Sequence, residues 1–128
     1  MEPNPDHLRY APTHEWISED NGDEMTVGIT EHAQDQLGDI VFVSLPTPGS
    51  HFQAGDACMF VESVKSASDI HMPVSGTILT VNQELEESPE LINQDPFGDG
   101  WLFKLRADED ATTEHLMDSF GYDAALDE

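Results

Sequence analysis

Basic residues are the scarcest feature of this chain. Only 4 Lys and Arg stand against 27 Asp and Glu among its 128 residues, which gives a formal net charge of −23. A surface of this sign repels the phosphates of nucleic acid, so nucleic acid is excluded as a partner. The acids are spread along the whole sequence, which favours a globally acidic surface over a local acidic tail.

The excess of acid predicts a salt-rich environment. At low ionic strength the like charges repel one another and oppose the compact state. At ~1 M salt the Debye length falls to ~3 Å, and exposed like charges no longer oppose folding. We therefore predict a halophilic source.

Cysteine and long apolar runs are also lacking. Cys58 is the only cysteine, so no disulfide can form within the chain, and an oxidising compartment gains no support. Between Ala57 and Met59 we expect it to be a small, buried apolar side chain. No run approaches the ~20 apolar residues of a membrane span, and Met1–Asp6 contains no basic leader. The sequence predicts a cytoplasmic protein that does not associate with membranes.

Signals for catalysis and for metal binding are missing as well. The six histidines are scattered without a ligand spacing, so no metal site is predicted. There is no glycine loop of the phosphate-binding type and no nucleophile elbow, so no residue is given a catalytic role. We expect His14 to pack or to orient its strand. The length of 128 residues suits one domain, 1–128, with a core of about 9–120 and a frayed tail at 121–128.

Strand signals dominate the middle of the chain. Short runs of β-branched and aromatic residues are separated by Gly, Pro and Asp. A turn at Asp20–Asp23 joins the first two runs, because Asn-Gly supplies the positive φ of tight hairpins. The predicted strands are Glu15–Ile17, Met25–Ile29, Ile40–Ser44, Ala57–Glu62, Ile70–Pro73, Gly76–Val81 and Trp101–Leu105.

Two segments share the pattern Gly-x-Ile-aliphatic-x-Val, namely Gly38–Val43 and Gly76–Val81. The repeat favours two similar sheet halves that pack face to face, and the hairpin that carries Lys65 is expected to link them.

Three short helices are predicted from their boundary residues. Thr30 caps a helix over Glu31–Leu37, and Gly38 ends it. Ser88 followed by Pro89 begins a brief turn that ends at Ile92. The last helix runs from Thr112 or Thr113 to about Phe120 and stops at Gly121, with Leu116 and Phe120 packed on the sheet edge.

Lys65 is one of only two lysines, and it lies in a turn of small residues between two apolar segments. Ser63, Ser66, Ala67 and Ser68 leave the amine open to an enzyme, and carboxylates flank it at Glu62 and Asp69. A displayed amine of this kind suits the attachment of an acyl cofactor. The sequence therefore predicts a carrier protein, and the alternative is an ordinary solvated surface charge.

The segment Glu62–Ile70 resembles the lipoylation segment of the glycine cleavage system H-protein family. The resemblance covers roughly residues 9–105 in the expected order. Two departures are His71-Met72-Pro73, where the family commonly has Tyr-Ala-Pro or Ser-Pro, and the more acidic surface. The other matching segments are Tyr10–Trp16, Val27–Thr30, Ala33-Gln34, Leu37–Asp39, Leu45-Pro46, Gly49, Ser88–Asn93, Asp95-Pro96 and Gly100–Leu102.

The resemblance implies a mainly β fold, the lipoyl/biotinyl-type flattened barrel-sandwich of two sheets, with short helices that include one near the C-terminus. It implies that Lys65 carries lipoic acid in amide linkage, attached by a lipoate ligase or a lipoyl/octanoyl transferase. The carrier, without catalysis of its own, takes the aminomethyl group of glycine from the P protein to the T protein. Electrons pass to dihydrolipoyl dehydrogenase. Independently of the resemblance, we expect a monomer. The residues implied in recognition by the lipoylating enzyme are Glu62, Ser63, Val64, Ser66 and Ala67.

The resemblance also implies a cleft for the arm near Thr13, Glu15, Leu37 and Asp69. The loaded arm is prone to hydrolysis, so we expect the cleft to exclude water. We interpret Glu15 as the carboxylate that holds the ammonium of the loaded arm, with Leu37 as its shield.

Four other interpretations remain. A lipoyl domain of a 2-oxo acid dehydrogenase would share the sandwich and the displayed lysine, but such domains are shorter and continue into a linker. A biotin carrier is disfavoured because Val64 and Ser66, not methionines, flank Lys65. An H-like protein could serve only as a lipoate relay. An unmodified acidic module would bind a basic partner through the same hairpin.

Overall fold

The computed structural model describes residues 5–21 and 23–126. Within them, no helix is both long and apolar enough to cross a membrane. The elements in chain order are β1 (Arg9–Tyr10), β2 (Glu15–Asn21), β3 (Glu24–Ile29), α1 (Glu31–Leu37), β4 (Ile40–Ser44), β5 (His51–Phe52), β6 (Ala57–Ser63), β7 (Ala67–His71), β8 (Gly76–Val81), α2 (Glu84–Glu87), α3 (Leu91–Gln94), β9 (Phe103–Ala107) and α4 (Ser119–Leu126).

The strands form two antiparallel sheets. The first has six strands in the order β1-β2-β3-β9-β8-β5, and the second has three in the order β4-β6-β7. β1 and β5 are the edges of one sheet and β4 and β7 the edges of the other, so the described strands make an open sandwich. This confirms the prediction of a mainly β fold with two sheets and few helices.

The main core fills the space between the sheets. Strand residues that alternate toward the interior supply it, among them Val27, Val61, Ile78 and Leu105, which are at most 1% exposed. A second cluster of Leu8, Tyr10, Trp16 and Tyr122 is packed apart from this core. The Tyr10 and Tyr122 rings are stacked with centroids 4.9 Å apart, which attaches α4 to β1.

Gly28 shows why a strand of the six-stranded sheet carries glycine. A Cβ at this position would lie 2.5 Å from the indole of Trp16. No real side chain tolerates that contact, so only glycine lets the indole pack flat on β3. The indole N–H donates to the Pro96 carbonyl at 2.9 Å, which ties the loop after α3 to the same cluster.

Three elements are found at the bounds that the sequence predicts. β4 and β8 have the predicted bounds, and so has α1. The Thr30 hydroxyl accepts from the Ala33 N–H at 3.2 Å, and Gly38 ends the helix with φ 81°. The two copies of the repeat lie in different sheets. The expectation that the Lys65 hairpin links the sheets is wrong, because both of its strands, β6 and β7, pair within the three-stranded sheet.

Several predicted bounds are wrong. Residues predicted as Ile70–Pro73 form β7 from Ala67 to His71, because pairing with β6 begins directly after the turn. Residues predicted as Trp101–Leu105 form β9, two positions later, where register with β3 sets the strand. The turn predicted over Ser88–Ile92 continues into α3 from Leu91 onward. Helix α2, which ends just before Ser88, and the two-residue strands β1 and β5 were not predicted. The predicted turn at Asp20–Asp23 includes Gly22, which lies outside the described residues.

The C-terminal helix starts later than predicted. Met117 pairs with Tyr10 through two backbone hydrogen bonds of 2.8 Å, so the chain is extended where the helix was expected. α4 begins only at Ser119, and Gly121 lies inside it, with its N–H bonded to the Asp118 carboxylate. Phe120 is 82% exposed, so its expected packing on the sheet edge is wrong, whereas Leu116 is buried. α4 occupies much of the tail expected to fray and is anchored by buried Tyr122.

Candidate functional site

The turn between β6 and β7 presents Lys65 to solvent. The Ser63 N–H donates to the Ser66 carbonyl at 2.8 Å and closes the turn. The Ser63 hydroxyl oxygen accepts from the N–H groups of Lys65 and Ser66, both at 3.1 Å. One short side chain therefore organises the turn, and Lys65 is exposed at its tip.

The hairpin tip leans on the end of α1. The Val64 N–H donates to the Asp39 carbonyl at 3.0 Å. A Cβ on Gly38 would lie 3.3 Å from Cε of Lys65, so the stem of the lysine packs directly over this glycine. Glycine at this helix end thus serves both the positive φ and the close approach of Lys65.

Asn93 holds the segment under the hairpin, a role that the sequence did not reveal. Its Oδ1 accepts from the Ile40 N–H at 2.9 Å. Its Nδ2 donates to the Gly38 carbonyl and to Oε1 of Gln34, both at 2.9 Å. The resemblance includes Asn93, but no local pattern indicates that a residue of α3 fixes the end of α1.

A cleft of about 310 Å³ opens beside Leu37, the neighbour of Gly38. It lies between α1, the edge strand β7 and the loop before β2. Three of the four residues expected near the arm, Thr13, Leu37 and Asp69, line it together, and Glu15 does not. The full lining is Thr13, His14, Ile29, His32, Ala33, Gln36, Leu37, Ser68, Asp69 and Ile70.

Glu15 lies directly behind Thr13 and is only 1% exposed. Its Oε1 accepts from the Thr13 hydroxyl, and its Oε2 accepts from the His71 N–H at 3.2 Å. Nδ1 of His71 is 3.7 Å from the same Oε2 and is buried without a hydrogen-bond partner. Burial raises the pKa of Glu15, and the hydrogen bonds from Thr13 and His71 oppose that rise. Glu15 is therefore connected to the cleft lining by its hydrogen bond from the Thr13 hydroxyl.

His14 lines the cleft and contacts two buried residues, Tyr122 and Thr30, through a hydrogen-bond network. Its backbone has φ 76°, and its Nδ1 lies 2.7 Å from the Tyr122 hydroxyl, which is also 2.7 Å from the Thr30 hydroxyl. Burial lowers the pKa of His14, and the nearby His32 lowers it further. The neutral ring joins α4 to the loop before β2, in agreement with the expected role in orienting the strand.

The residues that the structure describes contain neither a metal site nor a reactive thiol. Within residues 5–21 and 23–126, no group of three or more His, Cys, Asp or Glu side chains could hold a metal ion. Cys58 is half-buried, with its Sγ 3.5 Å from the Ile70 carbonyl. Burial raises the pKa of its thiol to about 12, so the thiolate is disfavoured at neutral pH.

Comparisons with known proteins agree on one family. The family model described as glycine cleavage H-protein matches residues 8–128. The chain is 53% identical over 124 residues to the glycine cleavage system H protein of Alteromonas mediterranea and 55% identical over 124 residues to that of Aeromonas hydrophila. Each alignment covers 97% of this chain and 96% of the relative. The crystal structure of the H protein from Mycobacterium marinum has a TM-score of 0.89 and 38% identity and covers 98% of this chain and 100% of its own. The chain therefore belongs to the glycine cleavage H-protein family.

Proposed function

We propose that this protein is the lipoyl-carrying shuttle of the glycine cleavage system and that Lys65 is its attachment site. The observation that carries the proposal is the exposed Lys65 at the tip of a fixed hairpin, next to a cleft. The only other lysine, Lys104, lies within β9 with its Nζ 5.5 Å from the centroid of the Trp101 ring. An enzyme that selects one amine therefore finds one displayed on a turn.

Lipoic acid fits the chemistry of the cleft. The cleft combines an apolar wall, which includes Ile29, Leu37 and Ile70, with polar groups at Thr13 and Asp69. When bound, the lipoyl group supplies a disulfide that takes up the aminomethyl cargo and is restored by oxidation. The apolar wall excludes water from this cargo, and the carrier raises its effective concentration at the next enzyme.

The hydrogen bonds around Glu15 indicate how an amine would be held. The Thr13 hydroxyl donates its hydrogen bond to Glu15, so the lone pairs of Thr13 Oγ1 remain to accept from a donor in the cleft. An ammonium has three donors and no acceptor. We propose that Thr13 and Asp69 accept from the ammonium of the loaded arm, and that the charge of buried Glu15 supports Thr13 from behind. Leu37 shields the same space.

Partners follow from the proposed role. The chain would receive its cargo from the P protein, deliver it to the T protein and pass electrons to dihydrolipoyl dehydrogenase, without catalysis of its own. A lipoate ligase or a lipoyl/octanoyl transferase would recognise the turn formed by Glu62, Ser63, Val64, Ser66 and Ala67. The monomeric state, the cytoplasmic location and the halophilic source stay predictions.

The proposal is tested by the intact mass of the protein from its native source, with fragmentation to locate any added group. One lipoyl group on Lys65 is expected. An unmodified Lys65 would contradict the proposal and favour an acidic binding module. In a reconstituted system with the three enzymes, Lys65→Arg should abolish glycine cleavage, and Lys104→Arg should retain it. A lipoylated carrier that supports no glycine cleavage would favour the lipoate relay.

A further inference from the structure

Exposed apolar side chains concentrate beside Lys65. Among the described residues, the large apolar side chains that are exposed are Val41 at 54%, Phe42 at 49%, Val64 at 67% and Phe120 at 82%. The first three lie on the three-stranded sheet or its hairpin, and Phe120 lies on α4. Such a grouping on a chain with −23 net charge is a candidate interaction surface.

The strand register places two phenylalanines on the outer face of this sheet. Phe42 pairs with Glu62, which pairs with Ala67. Phe60 lies opposite Asp69, and directly paired residues share a face. The intervening pair of Val43 and Val61 is buried in the core, so Phe42 and Phe60 lie on the opposite, outer face, with ring centroids 6.0 Å apart.

This outer face begins one row from the hairpin tip. Glu62 and Ala67 form the last pair before the turn that carries Lys65. Val64 in the turn is bonded to the Asp39 carbonyl, which places it near the start of β4. We name as the apolar outer patch the pair of Phe42 and half-buried Phe60, together with exposed Val41 beside Phe42 in β4 and exposed Val64 in the turn. It adjoins the site of modification.

Carboxylates border the patch. Glu62 lies beside Phe42, Asp69 lies opposite Phe60, and Asp39 precedes β4; all three are exposed. Between positions 39 and 70, Lys65 is the only Lys or Arg. A partner that covers this surface and meets Lys65 therefore needs an apolar centre with a basic rim, the arrangement of an interface with an aromatic anchor.

We propose that the apolar outer patch is the docking surface for the acyl-transferring enzyme that modifies Lys65. The inference rests on the proposed function, since it presupposes that Lys65 is lipoylated. An enzyme that acts on the bare amine has to bring its active site to the hairpin tip and so covers the adjoining face. Enzymes that act on the far end of a completed arm reach it at a distance and do not have to contact the patch.

Docking would orient the amine for acyl transfer. The neutral Nζ of Lys65 attacks the carbonyl carbon of a lipoyl adenylate, and a C–N bond forms. The bond from that carbon to the phosphate oxygen breaks, AMP leaves, and the nitrogen loses one proton. The role of the patch is to hold Lys65 against the activated carbonyl, which raises the effective concentration of the amine.

The experiment compares Phe42→Ala and the Phe42→Ala/Phe60→Ala double variant with Phe120→Ala, the matched control. Each unmodified full-length protein is incubated with lipoate ligase, lipoate and ATP, and kcat/KM for lipoylation is measured. We expect a loss of roughly tenfold or more for Phe42→Ala, mainly through KM, a larger loss for the double variant and no change for Phe120→Ala. Phe42→Leu should recover part of the activity, which separates lost apolar contact from lost folding.

The same variants, driven to full lipoylation with excess ligase, are then assayed with the P protein, the T protein and the dehydrogenase. Wild-type KM values are expected. Wild-type lipoylation of the double variant would overturn the inference, as would a defect confined to the three-enzyme assay. A dimer in sedimentation that Phe42→Ala dissociates would also overturn it, because a second copy would then occupy the patch. No lipoylation of the wild-type protein would overturn the proposed function itself.

Discussion

Replacing Glu15 with Gln tests whether the charge of this buried acid protects the loaded arm. Two unit charges ~6 Å apart interact by about 3 kcal/mol at an effective dielectric of ~20. The arm's ammonium stays partly hydrated, which weakens this interaction. We therefore expect Glu15→Gln to remove half or more of the full energy, not necessarily all of it. Since about 1.4 kcal/mol corresponds to a factor of ten, cargo should be released roughly tenfold to a hundredfold faster. Ammonia and formaldehyde released from the loaded carrier measure this rate.

The geometry separates this charge effect from unfolding. In Glu15→Gln the new amide oxygen can accept from the His71 N–H, and the new NH2 can donate to Thr13 Oγ1, so both partners stay paired, with the bond to Thr13 reversed in direction. The free energy of unfolding should then change by less than about 1 kcal/mol. Glu15→Ala leaves the His71 N–H unpaired beside a cavity and should cost about 2–4 kcal/mol. A Glu15→Gln protein with wild-type stability and a wild-type release rate would refute the role of the charge.

The remaining predictions concern pH, the thiol, the hairpin support and salt. Because burial raises the pKa of Glu15, the folded protein binds its proton more tightly than the unfolded chain does. The stability that this proton contributes is present below the ordinary glutamate pKa of roughly 4.3 and is lost as the pH rises through the raised value. As the pH rises through this range, the urea midpoint of the wild type should fall relative to that of Glu15→Gln. Midpoints of the two proteins that change in parallel with pH would contradict this. Cys58, with a thiol pKa of about 12, should react with iodoacetamide at about pH 8 roughly a hundredfold or more slowly in the native protein than in urea; equal rates would contradict its burial. Asn93→Ala removes three hydrogen bonds and should lower the free energy of unfolding by about 2–3 kcal/mol and speed hydrogen exchange at the Ile40 amide; unchanged exchange would argue against its supporting role. Finally, the urea midpoint should rise between low and molar KCl, and a flat response would argue against adaptation to salt.

Local chemistry determined the parts of this protein that could be predicted. Thr30 and Gly38 set the ends of α1 through hydrogen bonds and a positive φ that depend on adjacent residues. Short runs of β-branched and aromatic residues set β4 and β8. The turn that displays Lys65 is closed by Ser63, a neighbour in the sequence. The displayed lysine was recognisable for this reason.

The tertiary structure decided which of many chemically similar residues are buried, exposed or paired with distant segments. The sequence contains 27 Asp and Glu residues, and their chemistry does not distinguish Glu15 from the others. Glu15 is buried behind Thr13 because β7 and the loop before β2 pack around it and remove it from water. Long-range pairing of Met117 with Tyr10 delayed the last helix against its local signals. The register of β4 with β6 turned Phe42 outward in a segment that reads as an apolar strand. Caps and turns are local and can be read from the sequence, whereas burial, exposure and pairing arise only when distant segments meet.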